Sequence, residues 1–445
     1  MNLRNPLGLS VWVILVALLC SFSIEPARAE SPHIVVGSAH TKKSVIAFPE
    51  FKDLGGATGM AKGIHEVVLN DLTFMDLFQF LSSAAFLEDA NKTGINLDSF
   101  KMSNWSSIGA EFLVKTQLSS EKGSYRLSAR VYDTTGVKLI LGKDYLLGST
   151  DSKAAGHIMA NDIVTALTGL PGIFRTKIAM TCQKAGKKEI YMMNFDGTEV
   201  KQVTHHSSIS FSPAWGPDGT KLAYSVFTRH KNNVKNIDLY EFDFNNNTVR
   251  LLSNHKGMNS GAAYSPDGKS LAVTMSFLGN PDIFLLDPKV STVTRLTKSF
   301  GTDVDPTWSP DGKSIAFVSS RSGMPMVYSM NVDGSHIQRL TFAGRYNATP
   351  SWSPMGKKIA FAGYLEGKFD VFIMNPDGTN IERLTKNQGN NEDPTFSPDG
   401  NFIAFSSNRT GQENVYVMNV DGTFVKRLTY GLGRCVAPKW SNIPR

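Results

Sequence analysis

The chain has few cysteines, few charged residues and only one long apolar run. Of its 445 residues, three are cysteine and 19% are charged. The formal net charge is +7, and the basic residues do not form blocks. This pattern predicts a solvated, mildly basic surface and no nucleic-acid partner. Three cysteines, Cys20, Cys182 and Cys435, allow at most one internal disulfide.

The sequence also lacks the common catalytic and phosphate-binding motifs. It contains no Gly-x-Ser-x-Gly nucleophile elbow, no His-Glu-x-x-His pair and no Gly-x-x-x-x-Gly-Lys-Ser/Thr loop. His205 and His206 are adjacent, but no further residues accompany them at metal-ligand spacing. These absences favour a binding protein over an enzyme, and we expect no catalytic residue, no cofactor and no metal.

The one long apolar run lies at the N-terminus and predicts export. Arg4 precedes the run over residues 11–20, and Ala27-Arg28-Ala29 is a small-x-small cleavage site. This order is typical of a secretory signal peptide, here residues 1–29, cleaved after Ala29. The run is too short to span a bilayer, and no later segment is apolar enough to do so. Cys20 leaves a lipoprotein interpretation open, although Leu19 before it argues against lipidation.

A repeat is what the sequence does contain. The pattern aromatic-Ser-Pro-Asp-Gly has six anchor aromatics, which are Trp215, Tyr264, Trp308, Trp352, Phe396 and Trp440. The first spacing is 49 residues and the other four are 44. A period of about 40–45 residues with many strand signals is typical of a β-propeller. Each unit holds four short strands and Asp-Gly turns, which is the content of one blade.

The phase of the repeat predicts how the ring closes. The first unit opens with residues 177–182 and has no anchor strand, whereas the last unit, residues 436–440, is only an anchor strand. Together they make one blade. The fold class is therefore predicted as mainly β: a six-bladed β-propeller over residues 173–445, whose four-stranded closing blade is shared by both ends.

The same phase places Cys182 and Cys435 in the closing blade. By the repeat, Cys182 matches Ser319 and Cys435 matches Asp303, which lie nearly opposite across a hairpin that turns at Asp311-Gly312. An exported protein is in an oxidising compartment, where such a pair forms disulfides. Two interpretations stay open. One is a disulfide that ties the ring, and the other is two free cysteines whose Cα atoms a register error would hold too far apart.

Residues 30–172 lack the period and predict a separate small α/β domain. Residues 44–48 and 112–115 read as strands, and residues 63–80 read as an amphipathic helix or two. Asp151 caps a further helix, and the segment 169–172 ends it and serves as the linker.

Polar side chains recur in the loops just before the anchor strands. In a propeller, these loops border the central channel. We expect a concave recognition surface for a peptide or protein loop there. Its candidate residues are Ser212, Asn259, Asp305, Asn347, Glu392 and Asp393. For each of them, the satisfaction of backbone groups at a strand end is an equally open interpretation, and the acidic pairs recur with the repeat rather than marking catalysis.

The mature chain resembles the TolB family of periplasmic propeller proteins. The motifs Trp-Ser-Pro-Asp-Gly-Lys-x-Ile-Ala-Phe and Arg-Leu-Thr look like its blades. Residues 156–162 and 172–174 look like its inter-domain helix and linker, and residues 70–72 look like its first-domain helix. The order of signal, α/β domain and six blades makes the resemblance specific.

The resemblance implies a non-enzymatic, monomeric scaffold of the Tol–Pal cell-envelope system in the periplasm. The channel-mouth residues would bind the peptidoglycan-associated lipoprotein Pal, with Asp305 the strongest contact. The segment after the signal would bind the C-terminal domain of TolA, through Glu30, Ser31, Pro32, His33, Ile34, Val35 and Val36. Such a scaffold supports outer-membrane integrity and envelope constriction during cell division.

Two other functions stay open. An exported propeller that binds a glycan or small ligand would be favoured by aromatic side chains projecting from the rim, of which the sequence predicts few. A peptidase of the prolyl-oligopeptidase kind has similar repeats, but it needs a nucleophile elbow that this sequence lacks.

Overall fold

The computed structural model describes residues 42–55, 58–89, 91–121, 124–148 and 151–444. The predicted signal peptide, residues 1–29, and the predicted TolA-binding segment, residues 30–36, lie outside these ranges. The described residues form an N-terminal α/β region followed by six four-stranded sheets. Over these ranges, every helix is too short or too polar to cross a bilayer.

The N-terminal region is a mixed sheet with two long helices packed on one face. The strand order is β3-β1-β4-β5-β6, and β2 pairs with β4. The elements are β1 (Ser44–Ala47), β2 (Lys52–Asp53), α1 (Thr58–Phe74), β3 (Phe78–Phe80), α2 (Met102–Ser106), β4 (Phe112–Glu121), β5 (Ser124–Asp133), β6 (Lys138–Leu147) and α3 (Ser152–Thr168), with 3₁₀ turns at Ser83–Ala85 and Leu97–Ser99. Apolar residues of α1 and α3, such as Ile64 and Ile163, bury the sheet residues Val114 and Leu127.

The helix predicted over residues 63–80 is shorter than expected at its C-terminal end. Asp76 takes a left-handed backbone with φ of 57°, which ends the helical path, and Phe78–Phe80 then pairs with β1 in parallel. The cap predicted for α3 is confirmed, since the Asp151 carboxylate accepts hydrogen bonds from the backbone N–H groups of Lys153 and Ala154. Gly169, with φ of 73°, ends that helix.

Each of the six sheets is one propeller blade, which confirms the predicted fold class. We number the blades from the closing one. The strands are β7 (Lys177–Lys184), β8 (Lys187–Asn194) and β9 (Lys201–Gln202) in blade 1; β10 (Ser210–Trp215), β11 (Lys221–Arg229), β12 (Lys235–Asp243) and β13 (Thr248–Ser253) in blade 2; β14 (Asn259–Tyr264), β15 (Leu271–Met275), β16 (Asp282–Leu286) and β17 (Val293–Arg295) in blade 3; β18 (Asp303–Trp308), β19 (Ser314–Ser319), β20 (Met326–Asn331) and β21 (Gln338–Arg339) in blade 4; β22 (Asn347–Trp352), β23 (Ile359–Leu365), β24 (Lys368–Met374) and β25 (Glu382–Arg383) in blade 5; β26 (Asn391–Phe396), β27 (Phe402–Ser407), β28 (Asn414–Asn419) and β29 (Val425–Arg427) in blade 6; and β30 (Arg434–Trp440).

Strand β30 completes blade 1, as the phase of the repeat predicts. It pairs antiparallel with β7, so the innermost strand of this blade comes from the C-terminus and the other three from the start of the repeat region. Cys435 pairs in register with Cys182, and a disulfide joins them. The backbone N–H of Ser441 donates to the carbonyl of Lys177 at 2.8 Å, which extends the pairing past the strand.

Two of the anchor tryptophans join neighbouring blades. The indole N–H of Trp215 donates to the carbonyl of Lys439 at 2.9 Å, and that of Trp308 donates to the carbonyl of Ala263 at 3.0 Å. In both cases the acceptor is on the innermost strand of the preceding blade. In blades 2 and 4 the anchor tryptophan therefore links its blade to the preceding one, and the segment after it turns the chain from the first strand into the second.

The N-terminal region packs against one face of the propeller through aromatic side chains. Phe74, at the end of α1, has its ring centroid 4.9 Å from that of Phe195 and 5.4 Å from that of Phe402. Phe195 lies in the turn after β8 and Phe402 is the first residue of β27, both at the face where the innermost strands end. The opposite face, where the innermost strands begin, holds the channel mouth described below.

We predict that the mature protein contains no free thiol. In denaturant without reductant, a thiol reagent should label neither Cys182 nor Cys435, and after reduction it should label both. The double variant Cys182→Ser/Cys435→Ser should lose about 2–4 kcal/mol of unfolding free energy, because the bond closes a long loop in the unfolded chain. Labelling of two thiols before reduction would show that the ring closes through strand pairing alone.

Candidate functional site

The innermost strand of every blade contains one β-bulge. In blade 4, Val304 pairs with Val318, but the next register pair is Thr307 with Ala316, so the inner strand has one residue more than its partner. The first bulged residue has a left-handed backbone, with φ between 47° and 59°, in all six blades. We call these residues the bulge ring; they are Ser212, Gly261, Asp305, Thr349, Asp393 and Ala437.

The bulge has a local cause in the sequence. Proline follows the bulge-ring residue in five blades, at positions 213, 306, 350, 394 and 438, and alanine follows Gly261. Proline has no N–H to donate to the neighbouring strand, so it is placed at bulges. The left-handed backbone is unfavourable for the five residues that are not glycine, above all for the β-branched Thr349. Strain repeated around one opening is typical of a functional surface.

The bulge-ring residues are neighbours around the channel. A Cβ atom on Gly261 would lie 3.7 Å from the Cα atom of Asp305 in the next blade. The Asp393 carboxylate accepts a hydrogen bond from the backbone N–H of Ala437, also in the next blade, at 3.2 Å. In ring order, Asp305, Thr349 and Asp393 are consecutive, so one half of the ring is acidic and the other half carries small side chains.

Asp305 is the least satisfied carboxylate of the ring. It is half-buried, and it forms no hydrogen bond or ion pair with any residue of the described ranges. Burial raises the pKa of Asp305, the nearby Asp393 raises it further, and Lys439 opposes both effects. A half-buried carboxylate with no donor among the described residues can accept a hydrogen bond from a binding partner.

Glu392 precedes Asp393 and is also half-buried. Burial, together with the charges of Asp393 and Glu413, raises the pKa of Glu392 to about 7, although Arg434 lowers it. Asp393 itself accepts from the Ser406 hydroxyl at 3.0 Å. The mouth therefore carries two carboxylates, on Asp305 and Glu392, that hold protons more tightly than usual.

Of the six residues expected at the mouth, four lie in or next to the bulge ring and two are buried beneath it. Ser212, Asp305 and Asp393 belong to the bulge ring, and Glu392 adjoins it. Asn259 and Asn347 stand two positions before the ring in their blades, and both are buried. Their amide N–H groups donate to the carbonyls of His255 and Ala343 respectively, so they hold the loops beneath the mouth in place.

Gly261, Thr349 and Ala437 are ring members that the sequence interpretation missed. The sequence does contain a signal for the bulge ring. In five blades a proline stands two residues before the anchor aromatic, and the residue directly before that proline is the ring member. The isolated histidines at 205 and 206 bring no metal site together, because none of the described residues forms a cluster of three or more potential ligands. The His206 ring nitrogen instead lies 3.0 Å from the Tyr224 hydroxyl.

The expectation of few aromatic residues at the rim is wrong. Phe300, Phe342 and Tyr430 lie in the loops that enter blades 4, 5 and 1, and all three are largely exposed. Phe342 and Tyr430 each stand ten residues before the anchor aromatic, directly after Arg-Leu-Thr, so the repeat itself marks this pair. Phe300 stands eight residues before its anchor aromatic and does not share that position.

A family model described as the TolB beta propeller domain matches residues 164–363 and 347–443. A second model, described as the TolB amino-terminal domain, matches residues 32–140.

The chain belongs to the TolB family.

Two curated relatives are similar to about half of this chain, and one solved structure is similar to most of it. The Tol-Pal system protein TolB of Desulfosudis oleivorans is 37% identical over 222 residues, 49% of this chain and 50% of that protein. The protein TolB homolog of Chlorobium luteolum is 34% identical over 239 residues, 53% and 54% respectively. In these alignments the chain spans about half the length of its curated relatives. The crystal structure of TolB from Acinetobacter baumannii superposes with a TM-score of 0.78 at 27% identity, over 92% of this chain and 100% of that one.

The raised pKa of Glu392 predicts a pH-dependent stability. The folded protein holds this proton more tightly than the unfolded chain, so the contribution to stability is complete below the ordinary pKa of 4.5 and is lost as pH rises through about 7. Glu392→Gln does not titrate, so this variant does not lose stability at residue 392 as pH rises. Its unfolding free energy relative to the wild type should rise between about pH 5 and pH 8, by at most about 3 kcal/mol and less where channel water screens the charge.

The comparison needs a second glutamate variant made at an exposed site. Glu382→Gln, in the outermost strand of blade 5, changes the same charge away from the channel. Chemical unfolding of the three proteins across the pH range is the measurement. Parallel pH profiles for wild type and Glu392→Gln would contradict the assignment of an elevated pKa to Glu392.

Proposed function

We propose that this TolB-family chain is a periplasmic scaffold of the Tol–Pal system and not an enzyme. The propeller mouth binds the peptidoglycan-associated lipoprotein Pal, and the protein supports outer-membrane integrity and envelope constriction during division. The names of its relatives, which include Tol-Pal system proteins, support this function. The domain division at residue 172 and the cleavage after Ala29 belong to the same proposal.

The observation that carries the proposal is the bulge ring. Six left-handed backbone positions, five of them strained, present unlike side chains around one opening, and Asp305 there has no hydrogen-bond donor among the described residues. A protein loop that enters the mouth with N–H or hydroxyl donors would satisfy that carboxylate. Ser212, Asp305, Glu392 and Asp393 are the contacts we propose, and Asn259 and Asn347 contribute by positioning the loops.

The TolA contact is assigned to the segment just after the signal, residues 30–36. This segment is short and contains Ile34, Val35 and Val36 in a row, a pattern that suits an extended strand added to the edge of a partner's sheet. The described chain begins at Lys42, whose ammonium group pairs with Glu111 at 3.0 Å. The segment therefore precedes a point that is tied to the N-terminal region.

A glycan or small ligand at the mouth is the second candidate function. The observation that favours it is the exposure of Phe300, Phe342 and Tyr430, because aromatic faces stack on sugar rings. Isothermal titration with soluble peptidoglycan fragments tests it directly. If the wild type binds these fragments and Phe300→Ser does not, a glycan is favoured over a protein at this rim.

Asp305 provides the direct test of the lipoprotein site. Asp305→Arg should abolish capture of the soluble domain of the same organism's Pal, and Asp305→Asn should weaken binding at least about tenfold, because a donor in the complex loses a charged acceptor. Asparagine tolerates the left-handed backbone, so the thermal midpoint of that variant should stay close to the wild type. Unaltered capture by both variants would remove the channel mouth as the site.

Asp333→Asn is the matched control for charge. Asp333 lies in the turn between β20 and β21, at the face away from the mouth, where its carboxylate accepts from the backbone N–H of Ser335. The amide oxygen of asparagine preserves that acceptor. Binding by this variant should equal that of the wild type.

Deletion of residues 30–38 separates the two proposed partners. The shortened mature protein should still bind the Pal domain, because the mouth is unchanged, and should lose binding of the TolA C-terminal domain. Surface-bound TolA domain titrated with each protein is the measurement. Equal TolA binding by both proteins would place that contact elsewhere in the chain.

A further inference from the structure

The channel mouth is flanked on one side by neighbouring loops that carry exposed apolar side chains. Five consecutive loops around blades 3, 4 and 5 each contribute at least one. We call these residues the apolar crescent; they are Leu278, Phe300, Met324, Phe342, Tyr346 and Leu365. Phe300 is fully exposed and Phe342 is 73% exposed. Exposed apolar residues scattered singly are ordinary, but a contiguous group on a monomer surface is typical of a binding site.

Hydrogen bonds between the five loops show that each loop of the crescent is the neighbour of the next. The Asn280 amide donates to the carbonyl of Ser299 at 3.0 Å, which joins the first loop to the second. The N–H of Thr302 donates to the Ser320 hydroxyl at 2.8 Å, which joins the second to the third. The N–H of Asn347 donates to the carbonyl of Pro325 at 2.9 Å, and that of Tyr364 to the carbonyl of Tyr346 at 2.7 Å. These bonds complete the series.

Two aromatic residues of the crescent are held in place by neighbouring side chains. The Arg339 guanidinium lies 4.9 Å from the ring centroid of Phe342. The ring of Tyr346 packs edge-on against Phe369 at 5.5 Å. Such preorganised aromatic side chains lose little conformational freedom when a partner covers them. Between Gly344 and Gly363 a small cavity of about 70 Å³ opens, which is suited to one aliphatic side chain of a partner.

The loops of the crescent and the loop that follows them are basic. Lys298, Arg345, Lys368 and Lys386 are exposed there, and none of the four forms an ion pair with another residue in the described ranges. The carboxylate in these loops that is exposed, on Glu366, is already paired with Arg383 at 2.9 Å. The border of the crescent is therefore positive, whereas the bulge ring inside the channel is acidic on the adjoining side.

We propose that the apolar crescent docks a folded protein whose surface presents apolar side chains bordered by carboxylates. This rests on the proposed function, because the docked protein is the same lipoprotein whose loop enters the channel. The crescent supplies apolar contact area, and the four unpaired cations attract and orient an acidic partner. The border is positive and the adjoining side of the channel is negative. A partner with carboxylates around its apolar surface and donors on its inserted loop therefore has one docking orientation.

The composition of the crescent distinguishes a protein surface from a glycan. Sugar rings stack on flat aromatic faces, yet Leu278, Met324 and Leu365 are aliphatic and alternate with the aromatic residues. The crescent also extends over five loops, which is wider than a site for one or two sugars. Mixed aliphatic and aromatic contact with a charged border is the composition of protein interfaces.

The test compares exposed apolar residues inside and outside the crescent. Phe300→Ser and Phe342→Ser should each weaken binding of the same organism's soluble Pal domain by about tenfold or more, as expected for central aromatic contacts. Leu146→Ser is the matched control, since Leu146 is 71% exposed on β6 of the N-terminal region. It should bind as the wild type does. Because all three side chains are exposed, their thermal midpoints should remain close to the wild type.

The contribution of the basic border is tested by the rate of association with the Pal domain. The double variant Lys298→Glu/Lys386→Glu should lower the association rate constant about tenfold at low salt, and the difference from wild type should shrink as salt screens the charges. Stopped-flow mixing with the Pal domain at several salt concentrations measures both. An association rate equal to that of the wild type at every salt concentration would overturn the electrostatic part of the proposal.

The outcomes separate this inference from the function on which it rests. If the wild type binds the Pal domain and the two phenylalanine variants bind equally well, the crescent proposal is overturned and the channel-mouth function stands. If the wild type does not bind the Pal domain at all, both are overturned. If the phenylalanine variants lose binding of peptidoglycan fragments and keep that of Pal, the crescent is a glycan site and the proposal is wrong.

Discussion

Pairing of β30 with β7 is the contact on which the rest of the structure depends. It joins residues 253 positions apart in the chain at the cysteine pair, and it converts six sheets in a row into a ring. Without it, blade 1 would have an unpaired edge facing the axis, and blade 6 would have no neighbour for its acidic bulge residue. The channel and the mouth exist only in the closed ring. The disulfide lies in this pairing, where it opposes opening of the whole domain.

Closure alone makes a ring, and the bulges make it a binding surface. An unbroken innermost strand would pair all of its backbone groups with its neighbour. Proline interrupts that pairing once in five of the blades and leaves the preceding residue in a left-handed backbone at the opening. At the junction of blades 6 and 1, the carboxylate of Asp393 uses this geometry to accept from the N–H of Ala437 across the blades. The same constraint that shapes the mouth thus also links adjacent blades.

The sequence determined most of the fold but only part of the site. The period, the blade content and the closing strand follow from local turn and strand signals repeated along the chain, and the register of Cys182 with Cys435 follows from the repeat. The end of α1 was harder to place, because residues 75–80 keep the apolar spacing of a helix while Asp76 adopts a left-handed backbone that no local pattern marks.

The sequence predicts the site to within a few residues in each loop. It shows which residues belong to a loop, but it does not show which of them are buried. Asn259 and Asp305 both precede an anchor aromatic, yet Asn259 is fully buried and Asp305 is a half-buried residue of the bulge ring. Only the bulge, a property of strand pairing, separates them. The apolar crescent was missed for a related reason, since its members sit at unlike positions of the repeat and become neighbours only when consecutive loops meet on one face.

Symmetry explains why the unrepeated residues must carry recognition. The backbone repeats six times around one opening, so a partner that contacted only the repeated features would bind in six equivalent orientations. Asp305, Thr349 and Asp393 occupy one half of the bulge ring, and the crescent covers blades 3 to 5 outside it. The acidic half of the bulge ring and the apolar crescent therefore overlap at blades 4 and 5, where the acidic part of the channel is next to the apolar part of the rim. A partner that contacts both at once has one orientation available, and the five others would set its apolar surface against polar loops.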